Sequence, residues 1–569
     1  MIQTEGNNLT VKTRTTQVRF EGVRLVSIQD AVTGEEFLEP GLNAGTPGFD
    51  LMHQNGKFSA LGEHRLASQV TYTLLCDHIA EIVLNDWECD LSIRVSEDEK
   101  TGDVLIEPSA WTMQGGIAGL VMNIDGVRSD LDVVAPLQQG GRLALAHPQL
   151  QGRTANWPHD WEAGFLVFAS RESGFSVQAW DEDFIFKGVR FGRENSRRAA
   201  GFITYARGPL EQNRCVGNLC WRVSAYRSGW QAVVLRYRDW YWRAYRLEEA
   251  ARLRPEWMDS IRLAVSWCPT HLELLDALAR RIAPQQVFLH LPNWRPYQYD
   301  QEYPAYVASQ EGAAFIAKAR GMGFHVAPHT NACQMSPHHP FFHQVRDFST
   351  RSPTDLRWGG WSWLPVEGWA HFGPPQSYSM MPVHKDWNIL VNVHLAWSPW
   401  RRQFTRQVAD LIHNHGLDSI FVDVSQFIHN SDNAVLENLT YPQGSLKLIR
   451  ELAELAPNLC VSGESRNEIS TQFLSMVQFH LFNFAHTQAI DKKDVSWVVE
   501  VTEPVNELLF EGLARGIGYH YGAGSNRRAM IDATLKQGTI PTLIFQSNDP
   551  VGELESDEAE YILEHTRQG

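Results

Sequence analysis

The sequence predicts a multidomain protein of β plus α/β class, an N-terminal antiparallel β-sandwich followed by a (β/α)8 TIM barrel. Three observations lead there. Residues 1–230 read as short strands between turns, a helical pattern begins near Gln231, and strand and helix patterns then alternate to the end of the chain. At 569 residues the chain is also too long for one ordinary core. The predicted division is residues 1–230 as the sandwich, 231–256 as a helical linker and 257–569 as the barrel.

In the first part, Thr71-Tyr72-Thr73-Leu74-Leu75 and Leu91-Ser92-Ile93-Arg94-Val95 are rich in β-branched and aromatic residues. Turn pairs separate such runs: Thr33-Gly34, Asn55-Gly56, Thr101-Gly102 and Asp125-Gly126. Regular turns between short strands are the pattern of a sandwich. In the linker, Val234, Tyr237, Tyr241 and Tyr245 recur at helical spacing, and Pro255 closes the run.

The barrel region opens with a predicted strand at Ile261–Val265 and a helix at Leu272–Ile282. A strand at Val287–Leu291, a helix at Ser309–Arg320 and a strand at Phe324–Ala327 follow. Gly321 and Gly323 end that helix as C-caps prefer. Residues 331–385 form a long irregular stretch, a length that usually signals function. Next come a helix at Arg401–His415, an apolar strand at Ser419–Val422, a helix at Gly444–Leu455 and a strand at Leu459–Val461. Val477–Phe479 and Thr542–Phe545 are the later strand candidates. A doubly wound sheet is the alternative, but no phosphate-binding glycine turn follows any strand.

Composition narrows the function. A formal net charge of −16 opposes nucleic acid or an anionic membrane as partner. No run approaches the roughly 18 apolar residues of a membrane span. The start, Met1-Ile2-Gln3-Thr4-Glu5-Gly6, has neither a basic region nor an apolar run, so a cytoplasmic protein without a signal peptide is expected. Seven Cys without a CxxC pair predict neither a disulfide framework nor structural zinc. Twenty Trp fit a sugar-binding protein, although most aromatics of any protein are core.

In a barrel, chemistry sits at the C-terminal ends of strands. Two consecutive predicted strands end in an acid. Ser419-Ile420-Phe421-Val422 leads into Asp423, and Leu459-Cys460-Val461-Ser462-Gly463 leads into Glu464. Adjacent parallel strands lie about 4.8 Å apart, and retaining glycosidases need two carboxyl groups about 5–5.5 Å apart. Asp423 is therefore the predicted nucleophile and Glu464 the predicted acid/base. Glu468, one helical turn on, is the main rival for the second role, and Asp432 a weaker one.

The chain order and its short motifs carry a resemblance. A sandwich precedes a helix holding Tyr237-Arg238-Asp239-Trp240, and a barrel follows with FVDVSQ around Asp423, SGES around Glu464, and His329-Thr330-Asn331 after the third strand. This resembles the retaining α-glycosidases related to endo-α-N-acetylgalactosaminidases and α-N-acetylgalactosaminidases, and more distantly the α-galactosidases. The resemblance implies cofactor-free cleavage of α-linked galactose or N-acetylgalactosamine glycosides through a covalent glycosyl-enzyme. It maps the family's nucleophile onto Asp423 and its acid/base onto Glu464.

Further candidates surround the predicted mouth. His329 and Asn331 are expected to bind sugar hydroxyls, Trp267 and Trp294 to floor and flank the pocket, and Trp361, from the cluster Trp358-Gly359-Gly360-Trp361-Ser362-Trp363, to touch substrate or form a lid. In the sandwich, Trp157-Pro158-His159-Asp160-Trp161 and Trp180-Asp181-Glu182-Asp183 read as turns near the substrate or as plain loops. His290, His325, His329, His338 and His339 raise the question of a metal, but no HExxH spacing occurs, and no metal is expected. Two other readings stand beside the glycosidase: a non-catalytic carbohydrate-binding protein on this scaffold, and a metal-dependent barrel hydrolase.

Overall fold

A computed structural model describes residues 1–41, 46–62, 69–85, 89–193, 198–297, 299–354, 356–362, 389–479, 494–520 and 524–567. The chain divides into two compact units. The first comprises Met1–Ala244 with the short segments Pro353–Leu356 and Asn430–Ala434, and the second holds the rest.

The first unit is antiparallel β. Ile2–Glu5, Asn8–Lys12, Thr16–Glu21 and Arg24–Asp30 form a four-stranded meander, and a ten-stranded and a six-stranded sheet supply the remainder. Ile117–Asp125 is buried along its whole length, Asn123 and Asp125 included. The helix Trp230–Tyr245 turns Trp230, Val233, Val234, Tyr237, Trp240 and Tyr241 inward. Tyr237 accepts the backbone N–H of Gly164 at 3.2 Å, so this helix packs as part of the sandwich unit. Both Trp-rich turns are structural. Trp157 and Trp161 are buried, with the Trp161 indole N–H donating to the Phe165 carbonyl at 2.8 Å. Asp181 pairs with buried Lys187 at 2.9 Å, and the Arg222 guanidinium lies over the Trp180 ring.

The second unit is a barrel of eight parallel strands: β1 (Leu263–Val265), β2 (Val287–Leu291), β3 (His325–Asn331), β4 (Ser419–Asp423), β5 (Cys460–Glu464), β6 (Met476–Phe479), β7 (Arg515–Gly518) and β8 (Thr542–Leu543). β8 pairs with β1, and a parallel bridge between Ile517 and Ile540 closes the ring. One core layer takes Ala264, Phe288, Ala327, Phe421, Cys460, Met476, Ile517 and Ile540 from successive positions around that ring. This is a packed interior, as barrels require. Eight strands closing on themselves dispose of the doubly wound alternative.

Three differences from expectation bear on the site. β3 runs four residues beyond the predicted Ala327, which puts His329 and Asn331 on the strand itself. β5 likewise runs through to Glu464. The irregular stretch after β3 contributes Gln334–Met335 and Gly360–Ser362 to a small sheet completed by Ile389–Asn392 beyond it, which sequence patterning does not reveal.

The helix Gln310–Met322 starts at Ser309, whose hydroxyl accepts the Gly312 N–H at 2.9 Å, and ends at Gly323 in the left-handed region. Gly312 lies against the backbone of Trp294, and a Cβ there would collide with the Trp294 carbonyl oxygen. Gly312→Ala is therefore expected to cost about 1–3 kcal/mol. Thermal unfolding of the variant checks this, with a lowered midpoint expected.

Candidate active site

The strand register builds the site. Asn331 on β3 is paired directly with Asp423 on β4, and Val422 on β4 with Gly463 on β5, so Glu464 stands beside Asp423 at the next strand end. Gly463 is needed here: a Cβ would crowd the Ser425 hydroxyl and the Leu474 side chain. That hydroxyl instead accepts the Glu464 N–H at 2.8 Å and holds the two strand ends together.

Asp423 is buried, and three side chains converge on its Oδ2. Asn331 donates from Nδ2 at 3.3 Å, the Tyr299 hydroxyl donates at 3.5 Å, and His329 Nε2 lies 3.4 Å away. Glu464 Oε2 accepts the backbone N–H of Val424 at 2.7 Å. Burial raises the Asp423 pKa to about 6, the Glu464 charge adds to this, and His329 opposes it. Two carboxyl groups this close do not both ionise freely, so the pair retains a proton well above the usual carboxylate range. Burial and the Asp423 charge hold the Tyr299 hydroxyl well above its ordinary pKa, so it remains a donor.

The backbone is strained around these groups. Trp267 after β1, Val424 after β4 and Ser465 after β5 have φ of 54°, 52° and 48°, as do Asp300 and Glu302 at 60° and 53° in the loop after β2. For β-branched Val424 this is a true outlier, and such strain collects at functional sites.

The candidates named from sequence separate clearly. Asp423, Glu464, His329 and Asn331 come together. Trp267 borders the group: its ring centroid is 4.9 Å from that of Tyr299, and its indole nitrogen is buried without a hydrogen-bond partner among the described residues. Trp294 is fully buried and donates its indole N–H to the His329 carbonyl at 2.9 Å. That bond supports the β3 backbone at the site. The side chain of Trp361, like all of Trp363, lies outside the described residues; the Trp361 backbone belongs to the strand Gly360–Ser362. Glu468 is buried further along the chain. His325 sits at the other end of β3, paired with Asp418 at 2.8 Å and stacked on Trp257.

Tyr299 and Asp300 escape sequence reading, since they lie in an irregular loop without periodicity. His290 carried a signal, a polar residue within the apolar strand Val287–Leu291. For a cation, Asp300, His329 and Asp423 each offer one ligand atom, all within 4.8 Å of one another.

Comparison with known proteins gives a fold. A domain family of unknown function, DUF6259, matches residues 219–355. No curated protein matches by sequence. Among solved structures, the ligand-free α-N-acetylgalactosaminidase of Bifidobacterium bifidum is similar with a TM-score of 0.67 at 12% identity, covering 100% of this chain and 93% of that one. Its N-acetylgalactosamine complex gives 0.61 at 11%, covering 94% and 93%. An α-galactosidase from Geobacillus stearothermophilus in complex with raffinose gives 0.50 at 10%, covering 99% and 86%. At these identities the likeness is one of fold: a β-sandwich followed by a TIM barrel.

The raised carboxyl makes a stability prediction. A folded pKa above the unfolded value favours the folded state at low pH, and this contribution is lost as pH rises through about 6. Asp423→Asn removes the charge, so it is expected to raise the unfolding midpoint at about pH 7.5 and to raise it less at about pH 4.5. Paired thermal melts at the two pH values check the sign.

Proposed function

We propose that this protein is a retaining glycoside hydrolase for α-linked sugars, with galactose or N-acetylgalactosamine glycosides as the favoured substrates. The observation that carries the reading is the pair Asp423 and Glu464, side by side on adjacent strand ends, with the Asp423 carboxylate held by Asn331, Tyr299 and His329. The sugar preference is supported by the shared fold of an α-N-acetylgalactosaminidase that binds N-acetylgalactosamine.

The chemistry follows from that geometry. Asp423 attacks the anomeric carbon while Glu464 gives its proton to the departing oxygen, leaving a β-linked glycosyl ester on Asp423. Glu464, now ionised, takes a proton from water, and the water oxygen displaces Asp423 with net retention. The hydrogen bonds from Asn331 and Tyr299 to Oδ2, with His329 Nε2 beside them, fix the carboxylate plane and spread its charge, which an in-line nucleophile requires.

Asp423→Asn is expected to lower kcat on aryl α-galactosides and aryl α-N-acetylgalactosaminides by about 10³-fold or more while sugar binding persists. Glu464→Gln is expected to lose about 10²–10⁴-fold on substrates with poor leaving groups and much less on nitrophenyl glycosides. Normal turnover by Asp423→Asn would overturn the assignment. Binding of a broad glycoside panel with no turnover by the wild type would favour a binding protein instead.

A second reading has one observation behind it. The cluster of Asp300, His329 and Asp423 has the spacing of a cation site. A metal-dependent hydrolase would lose activity to a chelator and regain it with a divalent cation, whereas the carboxylate-pair mechanism predicts turnover that chelators leave intact.

A further inference from the structure

The histidines on β2 and β3 form a directional chain of two hydrogen bonds that ends in a close contact with Asp423. The backbone N–H of Trp267 points at His290 Nδ1, at 3.4 Å. His290 Nε2 is 3.2 Å from His329 Nδ1. His329 Nε2 in turn lies 3.4 Å from Asp423 Oδ2. A backbone amide can only donate, so His290 Nδ1 must accept. A neutral imidazole that accepts at one nitrogen carries its hydrogen on the other, so His290 Nε2 donates to His329 Nδ1. His329 Nδ1 then accepts, and its hydrogen resides on Nε2, facing Asp423.

His290 is suited to this task. It is wholly buried, and burial beside His329 holds its pKa well below the ordinary histidine value, so the ring is neutral. It is packed flat on Phe421, with ring centroids 3.9 Å apart, and Phe421 also stacks under His329. The donor that starts the chain belongs to a residue of φ 54°, so part of the strain after β1 goes into aiming that N–H.

We propose that His290 is a positioning residue: driven by the Trp267 amide, it locks His329 into the tautomer that donates from Nε2 to the nucleophile Asp423. The inference rests on the reading of Asp423 as nucleophile. It deepens that reading by making His329 a hydrogen-bond donor whose direction is set two bonds away. Charge leaves Asp423 when the glycosyl ester forms and returns when the ester is hydrolysed, so a fixed donor there serves the second half-reaction most. The same hydrogen leaves His329 Nε2 without a lone pair for a cation, so the metal reading requires the opposite tautomers and the loss of the Trp267 bond.

Two substitutions separate the ends of the chain. In His290→Asn the amide oxygen reaches the position of Nδ1 and keeps the Trp267 bond, but nothing reaches His329. In His290→Gln the amide N–H₂ reaches the position of Nε2 and keeps the donor to His329. Steady-state and pre-steady-state kinetics would use nitrophenyl α-galactoside and nitrophenyl α-N-acetylgalactosaminide, with thermal melts on each variant. The expected result is a kcat loss of about 10- to 100-fold in His290→Asn with KM unchanged or lowered, a burst of nitrophenol as the glycosyl-enzyme accumulates, and kcat within about 3-fold of wild type in His290→Gln. Equal kcat in the two variants at equal thermal stability, or a loss confined to KM, would overturn the inference. Loss of folding in His290→Asn alone would also count against it, since the proposal gives the two variants similar stability. Asp423→Asn serves as the control that keeps the two claims apart. If it is inactive while His290→Asn is unimpaired, only the positioning role fails; if it is active, the nucleophile assignment fails.

Discussion

Parallel hydrogen bonding between β3, β4 and β5 sets Asn331 opposite Asp423 and carries Glu464 to the end of the neighbouring strand. Everything in the site depends on that register. A slip by one residue would turn each of these side chains to the other face of the sheet. The register is held by the barrel layer beneath, where Ala327, Phe421 and Cys460 pack together, and by Ser425 bridging the ends of β4 and β5.

Placing two carboxyl groups in a buried pocket opposes folding, and the strands supply the compensation. Asn331 is itself anchored, exchanging hydrogen bonds with Gln334 and donating its backbone N–H to the Tyr306 hydroxyl. Trp294 donates its indole N–H to the carbonyl of His329. The acids thus sit among side chains that are already hydrogen-bonded in place, the kind of preorganisation that electrostatic stabilisation of a transition state requires.

Much of this was legible in the sequence, for a physical reason. Strands buried on both faces must be apolar along their length, so Val287–Leu291 and Ser419–Val422 announce themselves, and an acid directly after such a run stands out. Asp423 follows such a run directly, whereas Glu464 stands after the shorter run Leu459–Val461 with Ser462 and Gly463 between. β7, Arg515–Gly518, was not legible, because a four-residue strand with two glycines has neither β propensity nor periodicity. Trp294 shows a second limit: an indole packed behind a strand and one lining a sugar pocket look the same in a sequence, since only tertiary packing distinguishes them. Tyr299 reaches Asp423 from a loop held in left-handed backbone conformations, a placement no local pattern encodes.

The account makes Asp423 a covalent participant, which is more than a contribution to charge. The most direct test is to treat the protein with a fluorinated α-galactosyl or α-N-acetylgalactosaminyl fluoride, which slows release of the glycosyl-enzyme, and to map the product by peptide mass spectrometry. The account predicts one fluoroglycosyl group per chain, esterified to Asp423. A glycosyl group on another residue, or turnover with inversion and no adduct, would contradict it.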